Sequence, residues 1–146
     1  MTDAVTLHVC TTCQGGETLR PGELPMGRRL HGAVARALAG TPGQAPVVEL
    51  RETSCLANCE RGCSAVLSMP GRWTYLLGGL SPAVAADLAA YARTYGESRN
   101  GTVMPSRRAA TLRDAVMGRV PPADAVAART AEGASARGPA VTERAA

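Results

Sequence analysis

Residues 4–9 (AVTLHV) alternate apolar and polar positions, the period of a half-buried strand, and run straight into Cys10. GGETLRPGELPMG follows and reads as loop, with two Pro and several Gly. Leu30, Val34 and Leu38 then recur at helical spacing, with Ala33 and Ala37 beside them. They predict an amphipathic helix over about residues 25–39, closed by Gly40. TPGQAP is a linker, and VVELRE (47–52) predicts a second strand. SAVLSM (64–69) and RWTYLL (72–77) predict two more, with Pro70-Gly71 as a tight hairpin between them. Ser81-Pro82 opens a second helix, Ser as N-cap and Pro at the first helical position. Val84, Leu88, Tyr91 and Tyr95 share one face of it, and Gly96 is its natural C-cap.

The order β-α-β-β-β-α predicts a right-handed crossover with the first two strands parallel, to which the hairpin adds antiparallel strands. The expected fold class is α/β, a small mixed sheet with helices packed on it, of thioredoxin-like type, over residues 1–98. Residues 99–120 form an Arg-rich extension, with Ala109, Leu112 and Val116 suggesting a short helix. Residues 121–146 hold too little apolar surface to offset their ordering entropy and are expected to be disordered.

Charge follows the same boundaries. Residues 1–98 hold eight Arg and eight acids, and residues 120–146 hold three of each. The segment 99–119 holds five Arg and one Asp, so the whole net charge of +4 lies there. Arg99, Arg107, Arg108, Arg113 and Arg119 suit an acidic redox partner, and without interleaved aromatics a nucleic-acid partner ranks low. A solvated arm is the plain alternative. The chain lacks Phe, Ile and Lys, the mark of a GC-rich genome, so its core rests on Val, Leu, Ala and a few Tyr. A core that thin gains from a metal or cluster staple.

MTDAVTLHVC has neither the basic start nor the apolar stretch of a signal peptide. No run approaches the roughly 20 apolar residues that span a bilayer. A cytoplasmic location, without membrane attachment, is expected. Thiols stay reduced there, so clustered cysteines point to metal or redox chemistry before disulfides.

The five cysteines form C-x2-C (Cys10, Cys13), a gap of 41 residues, then C-x3-C-x3-C (Cys55, Cys59, Cys63). Each cluster follows a predicted strand. If those strands are parallel neighbours, both loops leave the same edge of the sheet and the thiols meet. Soft thiolates suit zinc or an iron–sulfur cluster. The long gap matches neither a compact zinc finger nor the bacterial four-iron run. A dithiol oxidoreductase using Cys10 and Cys13 is a further reading. Against it, more than ten loop-like residues separate Cys13 from the helix, and no Pro precedes the third strand. A nucleophilic Cys–His pair would need His8, on the first strand, or His31, within the first helix.

VCTTC after the first strand and CLANCERGCSAVL after the second resemble the thioredoxin-like two-iron ferredoxins. In that group the second ligand pair is C-L-x-x-C, matching Cys55 and Cys59. CTTC, the triple-cysteine loop, GRWTYLLGGL and the RR segment are similar to an uncharacterised bacterial family of predicted metal-binding proteins. The resemblance covers about residues 4–120. It implies a [2Fe-2S] cluster on Cys10, Cys13, Cys55 and Cys59, and one-electron transfer to a partner in place of catalysis by the chain alone. It also implies service near cobalamin or metal-uptake pathways, and it allows a homodimer. Two departures stand out. Those ferredoxins space their first two ligands more widely, and they often carry Pro at the position of Cys63. Cys63 is thus a spare or substitute ligand, or a small core residue. A zinc- or cobalt-binding metallochaperone or structural site is the alternative from outside redox chemistry.

Glycines near the thiols (Gly15, Gly16, Gly62) suit close backbone approach to a cluster, or ordinary turns. Trp73 and Tyr75 read as sheet cover, and Gly78-Gly79 as a loop without a phosphate-binding pattern.

Overall fold

The computed structural model describes residues 4–39 and 48–124. The elements are β1 (Val5–Cys10), α1 (Met26–Ala39), β2 (Val48–Thr53), β3 (Ala65–Ser68), β4 (Thr74–Leu77), α2 (Ala85–Glu97) and β5 (Val116–Val120). They form one mixed sheet in the order β2-β1-β3-β4-β5. β1 is parallel to β2, and every other neighbouring pair is antiparallel. The fold is α/β and thioredoxin-like.

Alternation in the strands decides which face is covered. Val5, Leu7 and Val9 of β1, Ala65 and Leu67 of β3, and Tyr75 and Leu77 of β4 are buried, while Thr6, His8, Val66, Ser68, Thr74 and Leu76 alternate with them and are half-exposed. Registers align them across the sheet, Leu7 with Leu67 and Leu67 with Tyr75. α1 adds Leu30 and Val34, and α2 adds Leu88, Tyr91, Ala92 and Tyr95. Both helices pack together over this face. Tyr75 meets Tyr91 and Tyr95 edge to face, with centroids 6.2 and 6.1 Å apart, so three aromatics anchor a core otherwise made of small aliphatics. Tyr95 Oη donates to the Trp73 carbonyl at 2.7 Å.

The helix ends differ from the sequence reading. Pro82–Val84 forms a 3-10 turn ahead of α2, and Ser81 caps through its backbone carbonyl, not its hydroxyl. Gly96 lies inside the last turn of α2. The end is capped by Arg72, which donates to the carbonyls of Gly96 at 2.8 Å and Ser98 at 2.6 Å. A guanidinium there satisfies orphan carbonyls and opposes the helix dipole.

The expected helical extension over 99–120 is a correction. Two 3-10 turns, Pro105–Arg107 and Ala110–Leu112, lead into β5, which pairs with β4. Three apolar residues at helical spacing do not outweigh the open hydrogen-bonding edge of β4. Pro105 and Gly118 also work against a helix here. Leu112 and Ala115 are buried, so the segment completes the same core. Gly40, the linker and the tail from residue 125 lie outside the described residues. No helix among the described residues is long and apolar enough to cross a membrane.

Candidate metal centre

Parallel pairing places the two cysteine loops together. Cys10 ends β1 opposite Thr53, the end of β2, so both chains leave the sheet at one rim. β3 runs the other way and begins beside them, Val9 pairing with Ala65, which brings Cys63 to the same rim.

Backbone and hydroxyl bonds tie the loops. Thr11 N–H donates to the Thr53 carbonyl at 2.9 Å, and the Thr12 hydroxyl donates to the Ser54 carbonyl. Cys10 N–H donates to the Ser64 carbonyl at 3.0 Å. Cys63 and Leu80 exchange N–H···O bonds of 3.2 and 3.0 Å. Within the second loop the Asn58 side-chain amide donates to Ser64 Oγ at 3.0 Å. Thr11, Thr12, Asn58 and Ser64 are residues the cysteine pattern did not single out. Hydroxyls and an amide inside a cysteine loop were the signal, but many loops carry them.

All five cysteines are free thiols. Cys10, Cys13 and Cys63 are buried, and Cys55 and Cys59 are exposed, so the centre has a protein side and a solvent side. The Cys63 thiol lies over the Cys13 carbonyl at 3.9 Å. The Cys10 sulfur lies 3.8 Å from both the Thr12 hydroxyl and the Ser54 carbonyl. Ala57, at φ 54°, turns its N–H onto the Cys55 sulfur at 3.3 Å. The Gly62–Cys63 peptide is cis.

Two glycines let the loops close. A Cβ on Gly62 would meet Cys13 Sγ at 2.0 Å. A Cβ on Gly27, in the first turn of α1, would meet the Cys10 carbonyl oxygen at 2.0 Å. Gly27 N–H donates to the Cys13 carbonyl at 2.8 Å. The helix therefore returns to the first cysteine loop across the long connection that separates them in sequence. Gly62 does allow a close approach, and the group it admits is the Cys13 sulfur.

The thiols act on one another electrostatically. Like-charge repulsion from Cys55, then burial, then Cys13 and Cys10, raises the Cys59 pKa above its ordinary value. Burial, then Cys13 and Cys10, pushes the Cys63 thiol up, while the Arg29 guanidinium pulls it down. Thiolates that disfavour one another are relieved by a shared positive centre, which displaces their protons. Five soft donors on two loops at one rim are the donor chemistry that an iron–sulfur cluster takes. Among the described residues no three Cys, His, Asp or Glu side chains converge tightly enough for a single ion.

The histidines stand apart from this chemistry. His8 Nδ1 pairs with Thr53 Oγ1 at 3.2 Å, bracing β1 to β2. His31 is half-buried on α1. Arg99, Arg107, Arg113 and Arg119 are exposed and Arg108 is half-buried. Arg107 faces Glu97 at 3.7 Å, and Arg119 covers the Trp73 ring at 4.4 Å.

Comparison with solved structures gives two chains of similar fold, both of a thioredoxin-like [2Fe-2S] ferredoxin from Aquifex aeolicus. One aligns with a TM-score of 0.52 at 16% identity, covering 84% of this chain and 98% of that one. The wild-type protein at 1.5 Å resolution aligns with a TM-score of 0.53 at 15% identity, covering 80% and 99%. At such identity the likeness establishes the fold. No curated protein matches the chain. Residues 7–122 match the family described as "Protein of unknown function (DUF1636)", a span that takes in all five cysteines and every strand but the first two residues of β1. The chain is a member of the DUF1636 family.

Proposed function

We propose that this protein is a small [2Fe-2S] ferredoxin-like carrier that passes single electrons to or from a cytoplasmic partner protein. The observation that carries the reading is the parallel pairing of β1 with β2, which brings the two cysteine loops out at one rim of the sheet. Cys10, Cys13, Cys55 and Cys59 would hold the cluster, with Cys63 beside Cys13 as the spare. When bound, the cluster supplies a centre that takes up and gives back one electron. The chain excludes water from the Cys10–Cys13 side and leaves Cys55 and Cys59 at the surface, where a partner can approach. Burial of Cys10 and Cys13 weighs against their use as an exposed dithiol.

Isolation without oxygen tests the reading. The expected protein is red-brown, bleaches with dithionite and contains two irons per chain. A colourless protein with stoichiometric zinc favours the metallochaperone or structural alternative. Serine variants rank the thiols: loss of colour is expected for Cys10→Ser, Cys13→Ser, Cys55→Ser and Cys59→Ser, and retention for Cys63→Ser. Loss with Cys63→Ser and retention with Cys13→Ser overturns the ligand set. The Arg99–Arg119 segment is proposed as the partner-docking surface; binding that does not weaken with added salt speaks against it.

A further inference from the structure

β5 ends the sheet order, so its outer edge has no neighbouring strand. Among the described residues no backbone hydrogen bond outside the β4 ladder involves residues 116–120. An open row of N–H and C=O groups is a template for a further strand. The opposite edge of the sheet is protected. β2 exposes Glu49, Arg51 and Glu52, with Arg51 and Glu49 paired at 2.8 Å, and mixed charge blunts an edge. β5, VMGRV, carries Arg119 as its one charge. Gly118 stands at its centre without a positive φ, and a Cβ there would meet nothing within 4 Å. Nothing in the chain's own packing requires that glycine, which weakens a strand. Strand glycines of this kind mark close approach by another backbone or a ligand. Gly118 pairs with Leu76 and Val120 with Thr74, on the face that the helices leave uncovered. Val120 is 61% exposed there. On the other face Arg119 pairs with Tyr75 and lies over the Trp73 ring. Arg99, Arg113 and Arg119 are exposed and form no salt bridge among the described residues.

We propose that the outer edge of β5 takes up an extended acidic segment of the partner protein as an added strand. A bulky apolar side chain of that segment lies over Gly118, and its carboxylates face Arg119 and the arginines that precede β5. This docking rests on the reading of the Arg99–Arg119 segment as the partner surface. Main-chain bonds supply affinity in strand addition, and alternate side chains supply specificity. An aromatic ring across an edge glycine restores the packing that the glycine forgoes. The cationic surroundings select carboxylates and repel a second basic strand.

The test uses the full chain and a short labelled peptide that alternates Glu with Val, Phe and Val. One control peptide is N-methylated throughout, which keeps the charge and removes the main-chain donors. A second control has Lys for every Glu. Fluorescence anisotropy reads affinity, and amide hydrogen exchange followed by NMR reads which backbone groups become protected. The acidic peptide is expected to bind, to protect amides of β5 and not of β2, and to weaken severalfold with added salt. Both controls should bind severalfold more weakly. Gly118→Val should weaken the Phe peptide severalfold and leave a peptide with Ala in place of Phe unchanged. Arg119→Gln should weaken binding and flatten its salt dependence. Equal binding of the plain and N-methylated acidic peptides, without protection at β5, means capture by charge alone. That result overturns strand addition and leaves the Arg99–Arg119 surface standing. Outer-edge amides of β5 already protected in the free chain mean that its own tail or a second copy holds the edge, which also overturns strand addition. No binding of any acidic peptide at low salt overturns the docking surface as well.

Discussion

Gly62 and Cys13 touch through the place where a Cβ would be: that atom would stand 2.0 Å from the Cys13 sulfur. Gly62 has φ −69° and ψ 155°, a conformation any residue adopts, so the sulfur alone makes glycine necessary. Gly62→Ala is therefore expected to keep the fold and displace Cys13. Iron content and visible absorption should drop severalfold, with the far-UV circular dichroism unchanged. Full iron content in the variant would show that the Cys13 sulfur does not need its present position.

Gly27 faces a less forgiving neighbour. Its missing Cβ would stand 2.0 Å from the Cys10 carbonyl oxygen and 3.0 Å from the carbonyl carbon, both backbone atoms. Gly27→Ala should force α1 away from the first cysteine loop and cost about 1–3 kcal/mol. Chemical denaturation measures this as a lower midpoint at unchanged slope.

Ala57 holds φ 54° between Cys55 and Cys59. Left-handed backbone costs a non-glycine residue roughly 1–2 kcal/mol, and glycine's extra freedom when unfolded gives back part of the relief. Ala57→Gly is expected to be neutral or more stable by about 1 kcal/mol at most. Ala57→Val should be less stable than wild type, because a β-branched side chain tolerates this region worst. Thermal melting of the pair tests both signs.

Burial raises the pKa values of Tyr91 and Tyr95 from 10.0 to about 12, with Arg108 and Arg72 respectively opposing the rise. The folded values lie above the unfolded ones. The stabilisation is thus complete below pH 10 and is lost as pH rises towards 12. Ultraviolet titration should find these two phenols ionising late, together with alkaline unfolding. Ionisation at the free-tyrosine value in the folded protein would contradict their burial.

Cys59 and Cys63 stay protonated further into the alkaline range than ordinary thiols, whose value is 9.0. Ligation requires the thiolate and releases its proton. Metal or cluster loading of the apo protein should accelerate as pH rises towards 9.0, with proton release measurable in weak buffer. Loading independent of pH would mean that Cys59, the ligand of the two, does not deprotonate on the way to the bound state.

Much of this architecture is written in local patterns. The alternation in 4–9, the strand over 47–52 and the helical stripe of Leu30 and Val34 appear in the structure within a residue or two. Parallel pairing of β1 with β2 followed from one crossover rule, and it carried the inference that the two cysteine loops share a rim. The strand at Val116–Val120 was not legible. Its side chains are half-exposed or exposed and its pattern too short to separate strand from helix. What makes it a strand is the vacant edge of β4, a partner that lies some forty residues upstream.

The sequence by itself determined which residue types gather in two loops after two strands, because periodicity and soft-donor chemistry are local properties. Only the tertiary structure decided which sulfurs are buried and which face solvent. It also brought the start of α1 back onto Cys13, set Gly62 against a sulfur and left Arg29 Nε without a partner. Those outcomes depend on contacts between segments far apart along the chain, where steric fit, not residue type, selects the arrangement.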